Sequence, residues 1–289
     1  CDTPPILTID QEGGRVARLK SFAGLPVSGM ELARAGKTDF AARHGELTGR
    51  LLRLFGFNVN LAPVIDYSLS EDRDNSLGGR CLGTSPAQVI DLAGGFLQGM
   101  EAAGVKGTVK HFPGYTYCEN DPHADLPKIT RSQEEMEADE LGVFRHFLRK
   151  ASAVMIGHGH FTHWHSESFP ASLSSKIVGE VLRNEIGYEG LSMSDDLEMG
   201  AIIWRYGAAR ATRMAIEAGN DTVLICHNPA CALLGAEALQ EADQSALASA
   251  YRRIDEFKKN LICPPADWDE AEFREVVKAT ETLRSEVCG

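Results

Sequence analysis

Basic residues are scarce in this chain, and their scarcity excludes one class of partner. The 289 residues include 29 lysines and arginines against 41 aspartates and glutamates, which gives a formal net charge of −12. A protein that binds nucleic acid needs a basic face, because the phosphate backbone is uniformly negative. We therefore predict no nucleic-acid partner.

Long hydrophobic runs and paired cysteines are also missing. No stretch approaches the roughly 20 consecutive apolar residues that cross a bilayer, so we predict no membrane partner. The seven cysteines are odd in number and show no Cys-x-x-Cys spacing, which favours thiols in a reducing compartment over a disulfide framework. The expected location is the cytoplasm.

Two catalytic signatures and a complete metal site are absent as well. The sequence contains no Gly-x-Ser-x-Gly, the turn that exposes the nucleophile of many serine hydrolases. No Gly-x-Gly-x-x-Gly follows a predicted strand, which disfavours a dinucleotide-binding fold. Residues 158–165 hold four histidines, but no carboxylate or cysteine completes a metal site at a recognisable spacing. We predict neither a cofactor nor a metal.

The chain does contain an alternation of short apolar runs and amphipathic stretches. The apolar runs predict strands over residues 5–10, 59–66, 105–112, 153–157, 190–195 and 222–226. Such alternation is typical of parallel βαβ units, and three of the runs end on Asp10, Asp66 and Asp195. Carboxylates gathered at the carboxyl ends of strands indicate a (β/α) barrel or a doubly wound sheet. We predict an α/β fold in a single domain, residues 1–289.

Several helix ends can be predicted from capping residues. Ser85 followed by proline predicts a helix start. Ser132 with Glu135 predicts a capping box at the start of another helix, whose inward-facing residues continue to Leu148. An alanine-rich stretch predicts one helix over residues 201–218, and the chain after residue 226 is helical by pattern.

The most informative stretch is residues 110–123, Lys-His-Phe-Pro-Gly-Tyr-Thr-Tyr-Cys-Glu-Asn-Asp-Pro-His. The third predicted strand brings Lys110 and His111 to its carboxyl end, and a loop follows. The proline after Asp121 favours an extended conformation there, which places its side chain on the same face as His123. A histidine held by a carboxylate suits general acid–base catalysis near neutral pH. From spacing alone, a surface histidine beside an aspartate explains the pattern equally well.

Three further motifs accompany this stretch. They are Ile-Asp-Gln-Glu-Gly-Gly-Arg at residues 9–15, Asn-Leu-Ala-Pro-Val-Ile-Asp at residues 60–66 and Ser-Asp-Asp-Leu-Glu-Met at residues 194–199. In content, order and separation, the four motifs resemble those of the β-N-acetylglucosaminidases of glycoside hydrolase family 3. Two positions depart from the family pattern, because Tyr115 stands in place of a histidine and Pro122 in place of a serine. The aspartate and histidine of the loop are retained.

The resemblance implies a retaining glycoside hydrolase that removes terminal N-acetylglucosamine from muropeptide-type sugars during cell-wall recycling. It implies that Asp195 is the nucleophile and that His123, oriented by Asp121, is the general acid and base. The positions that match sugar-binding residues of the family are Asp10, Arg18, Arg80, Lys110 and His111. Glu12 and Asp66 are expected to orient their neighbours.

The acidic pair leaves a choice between two residues. Asp195 and Asp196 are consecutive on a predicted strand, so their side chains point to opposite sides and one faces the pocket. The resemblance favours Asp195 as the nucleophile. Asp196 would then serve as the N-cap of the next helix.

Two alternative functions stay open at this point, and so does the question of how much of the family's barrel this chain contains. The alternatives are an N-acetylglucosaminide phosphorylase and an inactive sugar-binding remnant. The family's catalytic domain is an eight-stranded TIM-type (β/α) barrel, and only six βα units are evident here. The first two have no counterpart, so we expect either truncation at the amino terminus or an open barrel. The sequence does not indicate an oligomeric state.

Overall fold

The structure is a computed structural model that describes residues 3–72, 75–118, 126–263, 265 and 267–289. The chain divides into two compact units. The first unit comprises Cys1–Lys110 and Lys258–Gly289, and the second unit comprises His111–Phe257. Each unit combines parallel strands with helices, which makes the fold α/β.

The strands are short and follow one another along the chain. They are β1 (Thr8–Ile9), β2 (Gln11–Gly13), β3 (Val16–Ala17), β4 (Val59–Asn60), β5 (Lys106–Phe112), β6 (Lys128–Ile129), β7 (Ala153–Ile156), β8 (His160–Phe161), β9 (Leu191–Asp196) and β10 (Thr222–Leu224).

The helices lie between and after these strands. They are α1 (Lys20–Ala23), α2 (Gly29–Ala35), α3 (Thr38–Leu54), α4 (Pro86–Ala102), α5 (Gln133–Ala138), α6 (Glu140–Leu148), α7 (Gly200–Tyr206), α8 (Ala208–Glu217), α9 (Pro229–Ala238), α10 (Gln244–Lys259) and α11 (Glu270–Cys288). Two 3₁₀ turns (Ala171–Leu173 and Leu239–Glu241) and a π-helical segment (Lys176–Glu185) complete the set.

In the first unit, β1, β4 and β5 are parallel neighbours. Thr8 lies opposite Val59, and Val59 lies opposite Lys106 on its other side. The short strands β2 and β3 pair in an antiparallel hairpin directly after β1. Because parallel strands end at the same edge, the residues that follow β1 and β4 lie near the end of β5.

Helices α3 and α4 approach each other closely because glycines line their contact. A Cβ atom added at Gly45 would lie 2.0 Å from the carbonyl oxygen of Phe96, and one at Gly99 would lie 2.0 Å from that of Ala42. Phe96 is itself buried with Ala62 in the core of this unit. A larger residue at either glycine would therefore push the two helices apart.

In the second unit, β7, β9 and β10 are parallel neighbours. Ile156 lies opposite Ser194, and Leu224 lies opposite Asp196. The buried core on this sheet is formed by Leu173, Leu197, Ile202, Ala211 and Ala215. The acidic pair of β9 is thus carried at the carboxyl end of a strand that has a partner on each side.

Each of the six predicted strands coincides with an observed parallel strand, although the observed strands are mostly shorter. The two predicted helix starts are also confirmed. The Ser85 hydroxyl accepts the amide of Gln88, and Ser132 forms a capping box with Glu135. The barrel itself stays a prediction.

Two predicted helices are wrong in extent. The stretch predicted as one helix over residues 201–218 forms α7 and α8, which are separated at Gly207. Gly207 has φ of 68° and ψ of 161°, a conformation outside the helical region that glycine adopts easily. The helix that begins after Ser132 is likewise interrupted, at Asp139, between α5 and α6.

Within the described ranges, no helix combines the length and the apolar character needed to cross a membrane.

Candidate active site

Four charged side chains of the first unit form a partly buried cluster, which we call the charged quartet: Asp10, Glu12, Arg80 and Lys110. The Lys110 ammonium lies 2.8 Å from Asp10 Oδ1 and 2.7 Å from Glu12 Oε1. Arg80 donates to both oxygens of Glu12, with Nε and Nη2 each at 2.8 Å. Two negative and two positive charges therefore compensate one another.

The backbone between Asp10 and Glu12 explains how both reach one lysine. In extended chain, residues two apart face the same side, so the two carboxylates point the same way. Gly13 then turns the chain with φ of 118°, and a Cβ there would lie 2.1 Å from the carbonyl oxygen of Val27. Only glycine satisfies both conditions, which fixes the position of Glu12 beside it.

Burial and charge act in opposite directions on the quartet. Burial by itself raises the pKa of Glu12, but Arg80 and Lys110 outweigh it and hold that pKa far below its ordinary value. Burial lowers the pKa of Lys110, whereas Asp10 and Glu12 raise it, and the net shift is upward. All three side chains of the Arg80–Glu12–Lys110 chain of contacts are therefore ionised at neutral pH.

Arg18 lies at the edge of this cluster. Its guanidinium is 4.0 Å from Asp10 Oδ2, and its side chain is 68% exposed. An arginine held this loosely can reach a ligand without breaking a strong ion pair.

In the second unit, the acidic pair closes β9. The amide of Asp196 donates to Asp195 Oδ1 at 2.8 Å, so the backbone of the pair orients the first carboxylate. Asp196 Oδ1 accepts the amide of Glu198 at 3.0 Å, and its Oδ2 lies 3.2 Å from Nε2 of His227. Burial is the main cause of a raised pKa for Asp196.

The expected helix N-cap role of Asp196 is not observed. Helix α7 begins at Gly200, and its N-cap residue is Met199. Asp196 instead caps the turn that precedes this helix, through the amide of Glu198. Glu198 in turn accepts the amides of His227 and Asn228, at 2.5 and 3.0 Å, which ties the loop after β9 to the loop after β10.

The end of β5 and the end of β7 meet around two histidines. The rings of His111 and Tyr115 stack with centroids 5.2 Å apart. His158 is completely buried, and its backbone amide donates to the Tyr115 hydroxyl. Tyr115, which departs from the family pattern, therefore packs inside the second unit.

Two of the other three histidines of residues 158–165 hydrogen-bond to neighbouring groups. His160 Nε2 lies 3.0 Å from the carbonyl oxygen of His165, and His165 Nε2 lies 2.6 Å from the hydroxyl of Ser174. Among the residues that the structure describes, no three histidine, cysteine or acidic side chains are grouped to hold a metal ion.

The structure brings together some of the predicted site residues. One cluster of the first unit contains Asp10, Arg18, Arg80 and Lys110. Arg18 and Lys110 lie next to Asp10, whereas Arg80 joins the cluster through its contact with Glu12. His111 and Asp195 lie in the second unit. Asp121 and His123 lie outside the described residues.

Two contacts of the acidic pair were not foreseen from the sequence. The imidazole of His227 contacts the side chain of Asp196, and the Asp196 carbonyl is held by His158, whose ring also contacts Ser172. The two histidines lie about 31 and 38 positions from Asp196 in the sequence, and no local pattern marks such a pair.

Known proteins support the resemblance found in the motifs. The model of the family described as Glycosyl hydrolase family 3 N terminal domain matches residues 1–257. The β-hexosaminidase of Tolumonas auensis is 36% identical over 246 residues, which cover 84% of this chain and 72% of that protein.

Solved structures show the same relationship. A glycoside hydrolase family 3 β-N-acetylglucosaminidase from a Paenibacillus species superposes with a TM-score of 0.86 at 30% identity, covering 97% of this chain. This chain spans 56% of the length of that protein. A family 3 glycosyl hydrolase from Mycobacterium smegmatis has a TM-score of 0.82 at 32% identity, over 91% of this chain and 84% of its own. This chain therefore belongs to glycosyl hydrolase family 3, and its residues 1–257 match the N-terminal domain of that family.

Proposed function

We propose that this chain is a retaining, exo-acting β-N-acetylglucosaminidase with Asp195 as its nucleophile. The observation that carries the proposal is the placement of Asp195 at the carboxyl end of β9, with Oδ1 held by the next amide at 2.8 Å. The hydrogen bond fixes the carboxylate in one orientation, as a nucleophile requires. The 36% identity to the β-hexosaminidase of Tolumonas auensis supports glycoside hydrolysis as the reaction.

The reaction has two steps. A carboxylate oxygen of Asp195 attacks the anomeric carbon while the glycosidic bond breaks, and His123 gives a proton to the leaving oxygen. Water then attacks the anomeric carbon of the glycosyl-enzyme ester and gives a proton to His123. This hydrolysis releases N-acetylglucosamine and restores the carboxylate of Asp195. Asp121 orients the imidazole of His123 in both steps.

The sugar is held by hydrogen bonds from charged groups. Asp10, Arg18, Arg80, Lys110 and His111 are the residues that we assign to sugar binding. Charge-assisted hydrogen bonds to hydroxyl groups are stronger than neutral ones, and the quartet offers such groups in a compensated and therefore rigid arrangement.

The natural substrate and the setting follow from the family resemblance. We assign the enzyme to the removal of terminal N-acetylglucosamine from muropeptide-type cell-wall sugars in the cytoplasm. The fold that goes with this activity is a TIM-type (β/α) barrel, of which this chain supplies six βα units.

Replacement of the nucleophile tests the proposal directly. Asp195→Ala is expected to lower kcat on an aryl N-acetylglucosaminide by about a thousandfold or more, with little change in the affinity for N-acetylglucosamine. A slow fluorinated N-acetylglucosaminide should label Asp195 in the wild type, as peptide mass mapping would show. Asp196→Asn is the matched control, and its label should still fall on Asp195.

Three results would contradict the proposal. A label on Asp196 or on another residue would remove Asp195 from the nucleophile role. Release of sugar phosphate instead of free sugar in phosphate buffer would make the protein a phosphorylase, and a wild type without turnover would make it a sugar-binding remnant.

A further inference from the structure

The imidazole of His158 is completely buried, and each of its nitrogens has a partner. Nδ1 lies 2.7 Å from the Ser172 hydroxyl, and Nε2 lies 2.9 Å from the backbone carbonyl oxygen of Asp196. A carbonyl oxygen can only accept, so Nε2 must carry the proton. In the neutral ring, Nδ1 then accepts from the Ser172 hydroxyl, and the two partners together select one tautomer.

Tyr115 holds the backbone of the same histidine. The amide of His158 donates to the Tyr115 hydroxyl, and Tyr115 is only 2% exposed. A Cβ atom at Gly157 would lie 2.5 Å from Cζ of Tyr115, and one at Gly159 would lie 3.0 Å from its Cε1. The two glycines on either side of His158 therefore leave the room that the tyrosine ring occupies.

The electrostatic surroundings of His158 come from three elements. Burial lowers its pKa most strongly, Asp195 and Asp196 of β9 raise it, and His111 of β5 lowers it, so that the net shift is downward. The remaining contacts, Ser172 in the 3₁₀ turn and Tyr115 after β5, are uncharged. A neutral ring is the form that fits this site.

We propose that Tyr115, His158 and Ser172 form an uncharged positioning relay that fixes the Asp196 carbonyl and, through the backbone of Asp196, the amide that holds the carboxylate of Asp195. The amide of Asp196 is the group that donates to Asp195 Oδ1, so a rotation of this backbone segment would turn the nucleophile. The relay touches neither sugar nor reacting atoms, and it moves no proton. This inference rests on the proposed role of Asp195.

The kinetic experiment compares a buried serine–histidine pair with a partly buried one. Ser172→Ala and Tyr115→Phe should each lower kcat about tenfold while KM changes less than about twofold, because substrate binding is unaffected. Ser174→Ala is the matched control, since its hydroxyl lies 2.6 Å from His165 and has no contact with Asp196 among the described interactions. Its kcat should equal that of the wild type.

A conservative variant separates positioning from folding. His158→Gln offers a side-chain amide that can donate to the Asp196 carbonyl, and it should retain more of kcat than His158→Leu at equal thermal stability. The pH profile of kcat/KM should keep its shape in Ser172→Ala, because no relay member titrates. Wild-type kcat in Ser172→Ala and Tyr115→Phe, with Asp195→Ala inactive, would overturn the relay and leave the proposed function standing.

A spectroscopic measurement decides the state of His158 whether or not the enzyme turns over. Nitrogen–proton correlation NMR of ¹⁵N-histidine protein, assigned with His158→Gln, should show a neutral ring protonated at Nε2 from pH 5 to 8. An imidazolium in this range, or a proton on Nδ1, would overturn the relay. An inactive wild type would overturn the proposed function instead.

Discussion

Glu12 in the first unit and Asp196 in the second unit are both carboxylates close to a strand end, but their electrostatic environments shift their pKa values in opposite directions. Glu12 in the first unit is 5% exposed at its side chain and contacts two cations, Arg80 and Lys110, at 2.8 and 2.7 Å. Asp196 in the second unit contacts a backbone amide and the imidazole of His227. The pKa of Glu12 is lowered and that of Asp196 is raised, although both side chains lie largely inside the protein.

The difference between Glu12 and Asp196 shows how burial and neighbouring charges together set the pKa of a carboxyl group in this protein. Burial disfavours a carboxylate's charge at both positions, and only in the first unit do neighbouring cations outweigh that effect. A compensated cluster is rigid and resists change in its charge, which suits the binding of a polar ring. At Asp196 the effect of burial is not outweighed, and the pKa of its carboxyl group is raised.

Removal of the charge at Glu12 should give the largest effect on stability. Glu12→Gln leaves Arg80 and Lys110 buried without their shared counter-ion, and loss of one partner from a buried ion cluster costs about 3–5 kcal/mol. We expect a decrease of this size in the free energy of unfolding at pH 7. Urea denaturation monitored by tryptophan fluorescence would measure it.

The control for Glu12 is a second buried ion cluster that is remote from the proposed chemistry. Asp221 is 0% exposed at its side chain and contacts Arg183 and Arg253, each at 2.6 Å. Asp221→Asn should lower stability comparably, yet kcat/KM per folded molecule should fall only in Glu12→Gln. Equal kcat/KM in both variants would show that the quartet is a structural cluster alone.

The stability of the wild type and that of Glu12→Gln should also depend differently on pH. Because the pKa of Glu12 is lowered in the folded state, its ionised form stabilises the protein above the ordinary value of 4.5. That contribution is lost as the pH falls below 4.5 toward the folded-state pKa. The stability difference between wild type and Glu12→Gln should therefore shrink between pH 5 and the lowest pH at which both remain folded.

The sequence predicted the parts of the molecule that local pattern controls. The apolar runs that end at Asp10 and Asp195 are strands. Three residues that the family resemblance assigned to sugar binding, Asp10, Arg80 and Lys110, lie in one cluster of the first unit. These features depend on strand periodicity and on the common edge where parallel strands end.

Other features depend on contacts that no local pattern encodes. The break at Gly207 requires knowledge of the packing of α7 and α8, because an isolated glycine is compatible with a continuous helix. The hydrogen bond from His158 to the Asp196 carbonyl joins residues 38 positions apart. The pairing of His227 with Asp196 likewise arises only after β9 and β10 align.

Removal of the charge at Asp196 should change the free energy of unfolding in the direction opposite to that expected for Glu12→Gln. A raised folded-state pKa means that ionised Asp196 opposes folding, so Asp196→Asn should increase the free energy of unfolding at pH 7. The gain should stay below about 1 kcal/mol, because the carboxylate is partly solvated and keeps its hydrogen bond to Glu198. It should disappear as the pH falls below the ordinary value of 3.8, where the carboxyl group is protonated in both states.

The smallest effect is expected at His227, the only ionisable side chain within ion-pair distance of Asp196 among the described residues. Its side chain is 79% exposed, and exposed pairs contribute at most about 1 kcal/mol and are screened by salt. His227→Gln should lower the free energy of unfolding by less than about 0.5 kcal/mol. A double-mutant cycle with Asp196→Asn at 0.05 and 1 M NaCl would measure the coupling, which should vanish at high salt. A loss at His227 that matches the loss at Glu12 would mean that Asp196 is held by a strong ion pair, and the contrast between the two carboxylates would not stand.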